Sequence, residues 1–155
     1  MILNNSKIYG RFIGQPIFAQ ELFANLPLTT RKKLLSIHQR EKINEGEIIC
    51  KSGSFPENIY VLIKGKAQMT LQNELNRKKN TRLIEKDEII GLTQFISGSP
   101  NEMDVVALSP CSLDVFSTQD FLNFLKEEPQ VCFRLFNELS LDIQSGYKIF
   151  SSMFF

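Results

Sequence analysis

The sequence predicts an α+β domain in which a small antiparallel β-barrel is set between N-terminal helices and a long C-terminal helix. Three observations carry this. Apolar residues recur at helical spacing on both flanks, the middle of the chain breaks into short strand-like segments separated by turn residues, and one interruption inside that middle lacks alternation. At 155 residues with 43% hydrophobic and 23% charged residues, the chain is long enough to bury a core of its own.

Residues 1–15 read as an extension and 16–155 as the domain. The first helical zone covers residues 16–39. Pro16 opens a stretch with Ile17, Phe18, Leu22 and Phe23 on one face; Pro27 interrupts it, and a second helix follows with Thr29 or Thr30 as its cap and Leu34, Leu35 and Ile37 apolar. The β zone covers residues 43–116, with turns at Gly46, Gly53, Gly65, Asn76 to Asn80 and Pro110. Its clearest strand alternates Ala67, Met69 and Leu71 inward with Gln68 and Thr70 outward. The run Ile59 to Ile63 is apolar throughout and reads as buried on both sides. Further strands are expected at 48–51, 82–85, 105–108 and 112–116. Residues Leu92 to Ser97 read as one short helical turn with Gly98 past its end.

The last zone, residues 117–155, is helical. Ser117 or Thr118 caps a helix bearing Phe121, Leu122, Phe124 and Leu125, and Pro129 starts another. Val131, Leu135, Leu139, Ile143, Tyr147, Phe150 and Phe154 fall along one stripe of that final helix. The stripe is wider than one barrel surface needs. Val131, Leu135, Leu139, Ile143 and Phe150 are therefore expected to form a homodimer face.

Composition excludes several function classes. There is no P-loop, nucleophile elbow, HExxH or GxGxxG pattern, so an enzyme is not expected. Cys50, Cys111 and Cys132 lie far apart and read as reduced core thiols, and a single histidine, His38, is too few for a zinc site. No export signal or membrane-length apolar run is present, which makes the cytoplasm the expected location. Charge is uneven: residues 1–86 carry 15 Lys and Arg against 7 acids, and residues 87–155 carry 3 against 10. An acidic C-terminal section is a poor DNA-reading surface, so no DNA binding is expected from this chain alone. The basic turn around Arg77, Lys78, Lys79 and Arg82 reads as a solvated hairpin tip, and Asp87, Glu88, Glu127 and Glu128 as surface acids.

The order of elements and several local motifs resemble a known family. Residues 18–27 (FAQELFANLP), Glu45-Gly46-Glu47-Ile48-Ile49, Gly53, the run Glu57 to Gly65, Ile90-Gly91 and Val105-Val106-Ala107-Leu108 are similar to the cyclic-nucleotide-binding domain of CRP/FNR-type regulators, regulated kinases and gated channels. The resemblance covers residues 16–150 and implies a jelly-roll barrel with a phosphate-binding cassette at Gly91 to Glu102. Family cassettes resemble G-E-x-x-L-L-x-G-x-P-R-[ST]-A, in which the glutamate accepts from the ribose 2′-hydroxyl and the arginine pairs the phosphate. This chain keeps Gly91, Gly98 and Pro100 but has Leu92 for the glutamate, Asn101 for the arginine and Glu102 next to it. Neither replacement offers the original chemistry. The candidate ligand-facing residues are thus Gly91, Leu92, Thr93, Gln94, Gly98, Asn101 and Glu102, with Tyr147 as a base contact by analogy. The resemblance implies a non-catalytic signalling module, without a cofactor and with weak or lost cAMP and cGMP binding. Two alternatives stand beside it: a sensor of a cyclic nucleotide or another small molecule, and the effector part of a CRP/FNR-type transcription regulator. Such regulators continue into a winged helix-turn-helix, and this chain stops at Phe155.

Overall fold

A computed structural model describes residues 16–73 and 78–139. Helices α1 (Ala19–Phe23) and α2 (Leu28–Ser36) precede six strands: β1 (His38–Ile43), β2 (Ile48–Cys50), β3 (Asn58–Lys64), β4 (Ala67–Asn73), β5 (Lys78–Ile84) and β6 (Ile89–Ile90). Helix α3 (Leu92–Ser97) interrupts them. Strands β7 (Met103–Ala107) and β8 (Cys111–Ser117) and helices α4 (Thr118–Glu127) and α5 (Pro129–Leu139) complete the described chain.

The strands form two antiparallel sheets, ordered β1-β8-β3-β6 and β2-β7-β4-β5. The α+β jelly-roll class holds. Among the described residues no ladder joins the sheets, so the barrel is an open, flattened one. Strands β2 and β6, with three and two residues, are too short to close it.

Period-two alternation in the central strands builds two cores. In β3, Ile59 and Val61 face the helices while Leu62 faces the second sheet. Leu62, Ala67, Met69, Ile90, Val105 and Leu113 fill the space between the sheets. On the other side Leu22, Ile59, Leu92, Phe116, Phe121 and Leu135 form a helical core. Each fully buried Leu or Phe contributes about 1.5–3 kcal/mol. Phe121 is the hub: its ring lies 6.3 Å from Phe23, 5.8 Å from Phe95, 6.0 Å from Phe116 and 6.1 Å from Phe124. The first three are edge-on pairs, which add specificity to area burial, and the Phe124 pair is tilted.

The C-terminal helices start where their first residues dictate. Ser117 Oγ accepts from the Asp120 N–H at 3.1 Å and caps α4, and Pro129, lacking an N–H, stands first in α5. At Gly65, φ is +102° and an added Cβ would lie 2.4 Å from the Pro110 carbonyl, so the tight turn before β4 admits no side chain.

The structure corrects the N-terminal helical zone. Helix α2 begins at Leu28 behind Pro27, so neither Thr29 nor Thr30 caps it, and it ends at Ser36 rather than at residue 39. His38 opens strand β1, which pairs residue for residue with β8 from His38↔Phe116 to Ile43↔Cys111. An edge strand exposed over four of its six residues carries no apolar alternation to announce it. His38 is held there by Nδ1–H donating to the Leu35 carbonyl at 2.8 Å. The N-terminal extension, Arg77 in the basic turn and residues 140–155, expected to continue the last helix, lie outside the described residues.

Candidate functional site

Strand β6 delivers the chain to Gly91, whose φ of +91° turns it into α3; a Cβ there would meet the Asn58 carbonyl at 3.3 Å. Gly98, at φ +66°, ends α3 with its N–H donating to the Gln94 carbonyl. The glycine frame expected from the sequence is therefore present. Its side chains are committed elsewhere. Leu92 is 2% exposed and belongs to the helical core with Leu22 and Phe121, and Phe95 and Ile96, three and four positions on, pack against the same core. Gln94 lies on the opposite face of α3 and is buried. Thr93 is half-buried.

Asn101, where the resembling family has arginine, is also buried. Its N–H donates to the Ser54 carbonyl at 2.8 Å, its own carbonyl accepts from the Gly53 N–H at 2.8 Å, and its Nδ2 reaches Ser54 Oγ at 3.5 Å. Two residues beyond Glu102, Asp104 Oδ1 accepts from the Ser52 N–H at 2.8 Å. Together these bonds strap the β2–β3 loop to the segment following α3. Glu102 itself is exposed.

Val131 and Leu135, expected at a dimer face, are 0% and 1% exposed inside this chain's own helical core. That part of the expected face is corrected: these residues pack against α1 and α4 of this chain instead of a partner. Among the described residues, Phe133 is a large apolar side chain that α5 leaves in solvent, at 68% exposure. Tyr147, Ile143 and Phe150, and the side chain of Leu139, lie outside the described residues.

Two polar clusters escaped the sequence reading. Glu88, expected at the surface, is 1% exposed, and Arg82, expected in a solvated tip, turns inward to it. Arg82 Nη1 donates to Glu88 Oε1 at 2.7 Å and Oε2 at 3.2 Å, and to the Leu83 carbonyl at 3.2 Å. Burial pushes the Glu88 carboxyl up from its ordinary range, and Arg82 opposes that shift. Arg82 Nε is buried without a partner, a cost of about 1–3 kcal/mol. The pair connects β5 of one sheet with the turn entering β6 of the other. A signal was available, because Arg82 pairs with the inward-facing Met69 across the β4–β5 ladder.

The second cluster joins α2 to the elbow between α4 and α5. Glu128, likewise expected at the surface, is 7% exposed. Its Oε2 accepts from Thr30 Oγ1 at 3.0 Å and from Gln130 Nε2 at 2.7 Å, while Lys33 Nζ lies 2.9 Å from Oε1. The Lys33 ammonium, more than the other partners, holds this carboxyl below its ordinary range. Arg134 Nη1 completes the junction by donating to the carbonyls of Leu22 and Ala24 at the end of α1.

The cysteines are free, and burial pushes the Cys50 thiol up to about 12, so it is protonated and unreactive at neutral pH. Among the described residues no cluster of His, Cys, Asp and Glu is arranged to hold a metal, and no helix is long and apolar enough to cross a membrane.

Comparison with known proteins agrees with this geometry. The Thermus thermophilus catabolite activator protein is similar at 20% identity with a TM-score of 0.69, over 84% of this chain and 62% of that one. The sensor domain of the transcriptional regulator DNR from Pseudomonas aeruginosa is similar at 20% identity and TM-score 0.64, over 77% of this chain and 84% of that one. The regulatory domain of Toxoplasma gondii PKA, solved with cAMP, is similar at 16% identity and TM-score 0.61, over 82% and 47%. At these identities the likeness is one of fold. No curated protein matches in sequence. The sequence pattern of the cyclic nucleotide-binding domain matches residues 40–128, from β1 to the buried Glu128 at the α4–α5 elbow, and the chain belongs to that family.

Proposed function

We propose that this domain is a non-catalytic regulatory module that does not recognise cAMP or cGMP in the manner of its family and acts through its helical layer, by self-association involving the C-terminal helical segment. One observation carries the first half. The two positions that would face ribose and phosphate are both engaged by the protein itself, Leu92 in the helical core and Asn101 in the strap to Gly53 and Ser54. A charge-assisted hydrogen bond contributes about 1.5–3 kcal/mol, so the loss of two weakens binding by roughly 10²–10⁴-fold. The exposed Glu102 beside them adds a repulsive charge. Exposed Phe133 on α5 supports the second half, since a large apolar side chain at 68% exposure gains by being covered.

Calorimetric titration with cAMP and cGMP tests the first half. We expect no saturable heat at micromolar ligand; a micromolar dissociation constant would reverse the reading. Sedimentation velocity tests the second, where a dimer is expected and a monomer at tens of micromolar would remove self-association.

A second reading, a sensor of a different small molecule, is favoured by Gln94, a polar side chain buried in α3 between the two frame glycines. The same calorimeter, run with cyclic dinucleotides, addresses it. The chain spans 62% of the Thermus chain, which also suits the effector part of a longer regulator.

A further inference from the structure

The alternation that fills the interior of the second sheet leaves an apolar row on its outside. Ile48 pairs with Val106, Val106 with Gln68 and Gln68 with Leu83, so β2, β7, β4 and β5 each contribute one side chain to a single line. Residues directly opposite one another share a face. Their strand neighbours Ala67, Met69, Val105 and Ala107 are buried between the sheets, which puts the line on the outer face. Ile48 is 60% and Leu83 57% exposed, and Val106 is half-buried between them. With strands about 4.8 Å apart, the row runs roughly 14 Å across the sheet. Three of its four members are apolar, on a face that an antiparallel sheet ordinarily gives to polar groups.

The chain enters the domain beside one end of this row. The Ile17 carbonyl accepts from the Ile89 N–H at 2.7 Å, and Phe18 bridges to Glu88. Glu88 in turn accepts from Arg82, the neighbour of Leu83 on β5, at 2.7 Å. Residues 1–15 therefore approach where the edges of the two sheets meet. Fifteen residues span up to roughly 50 Å when extended, so they reach well past the far end of the row. Their composition suits it. Ile2, Leu3, Ile8, Tyr9, Phe12 and Ile13 are apolar, and the charged side chains are Lys7 and Arg11, with no acid among them. The sheet face carries exposed Asp104, two positions before Val106, and exposed Glu85, two beyond Leu83, against one exposed cation, Lys66. Opposite charges thus accompany the apolar groups on the two sides. Residues 140–155 are the less suited end, since they follow α5, which packs on α1 and α4 in the helical layer on the far side of the first sheet.

We propose that the outer face of the second sheet is a docking surface for residues 1–15 of the same chain, whose apolar side chains cover Leu83, Val106 and Ile48. Covering this row removes apolar surface from water at the one face of the sandwich that no helix protects. The surface involves neither the cassette positions Leu92 and Asn101 nor α5, so it stands whether or not cyclic nucleotides bind or the C-terminal segment self-associates.

The test uses the full chain with ¹³C-labelled Ile, Leu and Val methyls, and follows nuclear Overhauser cross-peaks together with trypsin cleavage after Lys7 and Arg11. We expect cross-peaks from the methyls of Leu83, Val106 or Ile48 to the ring protons of Tyr9 or Phe12, which Tyr9→Ser and Phe12→Ser assign by removing them. Ile48→Ser and Leu83→Ser alter side chains that lie outside both cores, so the double variant is expected to fold. In it trypsin should cut after Lys7 and Arg11 roughly tenfold faster, because cleavage tracks the population of the undocked form. The proposal is overturned if none of those cross-peaks is present in the native chain, or if the double variant is cut no faster. Methyl shifts at the row that depend on protein concentration would mean that a second copy covers it, and overturn the proposal too. Should the double variant not fold, the cross-peaks of the native chain decide alone.

Discussion

Thr30 and Glu128, 98 positions apart, share a buried hydrogen bond of 3.0 Å that ties the second helix to the elbow from which the last helix departs. Gln130 donates to both partners, at 3.2 Å to Thr30 Oγ1 and 2.7 Å to Glu128 Oε2, so the hydroxyl is both donor and acceptor. The helical layer is thus pinned by a polar triangle as well as by its apolar core. Any signal that leaves through α5 must work against it.

Thr30→Val keeps the volume and removes the hydroxyl. Glu128 retains Gln130 and Lys33, so the expected cost is about 1 kcal/mol. Urea denaturation checks it, with a lower midpoint at an unchanged slope. No change in midpoint would mean that the triangle carries no stability.

Two buried acids predict opposite pH dependences. Glu128 is held below the ordinary value of 4.5, chiefly by Lys33, so its stabilisation is present above pH 4.5 and is lost as pH falls through the depressed value. Glu88 is raised above 4.5 by burial, so its contribution is complete below pH 4.5 and is lost as pH rises through the elevated value. Glu128→Gln should therefore flatten the acid side of the stability profile and Glu88→Gln the side above pH 4.5. Thermal midpoints recorded from about pH 3 to 8, which brackets the ordinary carboxyl range on both sides, read both.

Leu92 separates packing from ligand binding. Leu92→Ala should cost about 2–5 kcal/mol as a core truncation. Leu92→Glu, which restores the acid seen in the family, should cost at least as much, because it puts a carboxylate among Leu22, Phe121 and Phe124. Chemical denaturation measures both. A stable Leu92→Glu variant with micromolar affinity for cAMP would show that this position still faces a ligand.

Two glycines with similar backbones should respond differently. Gly46 has φ +87° and nothing within 4 Å of where a Cβ would stand, so Gly46→Ala carries only the left-handed penalty of about 1–2 kcal/mol. Gly65→Ala adds a backbone clash at 2.4 Å and should cost more, roughly 3 kcal/mol or above. Equal midpoints for the two variants would contradict the tight β3–β4 turn.

Elements whose burial follows a period were legible in the sequence. Strands β3 and β4, helix α3 between its glycines, and the starts of α4 and α5 all stand where alternation, caps and prolines placed them. Strand β1 was not legible, because His38 to Lys42 is polar and its pairing with β8 is a tertiary fact. Strand β6 has two residues and no pattern to show. The apolar stripe of the last helix was visible, but a stripe does not say what it covers, and Val131 and Leu135 turned out to cover this chain. At the site the frame could be read from Gly91 and Gly98, and the loss of two ligand-facing groups from Leu92 and Asn101. The destinations of those two side chains, like the burial of Glu88 and Glu128, depend on partners distant in sequence, which local pattern does not encode.

The amides of Gly91 and Gly98, followed by ¹H–¹⁵N NMR in glycine-labelled protein, test the central claim most directly, because they flank α3 and would be the first to sense a cyclic phosphate. The loss of cyclic-phosphate recognition predicts that neither signal moves when cAMP is raised through the micromolar range. Saturating shifts at both glycines at micromolar cAMP would contradict it.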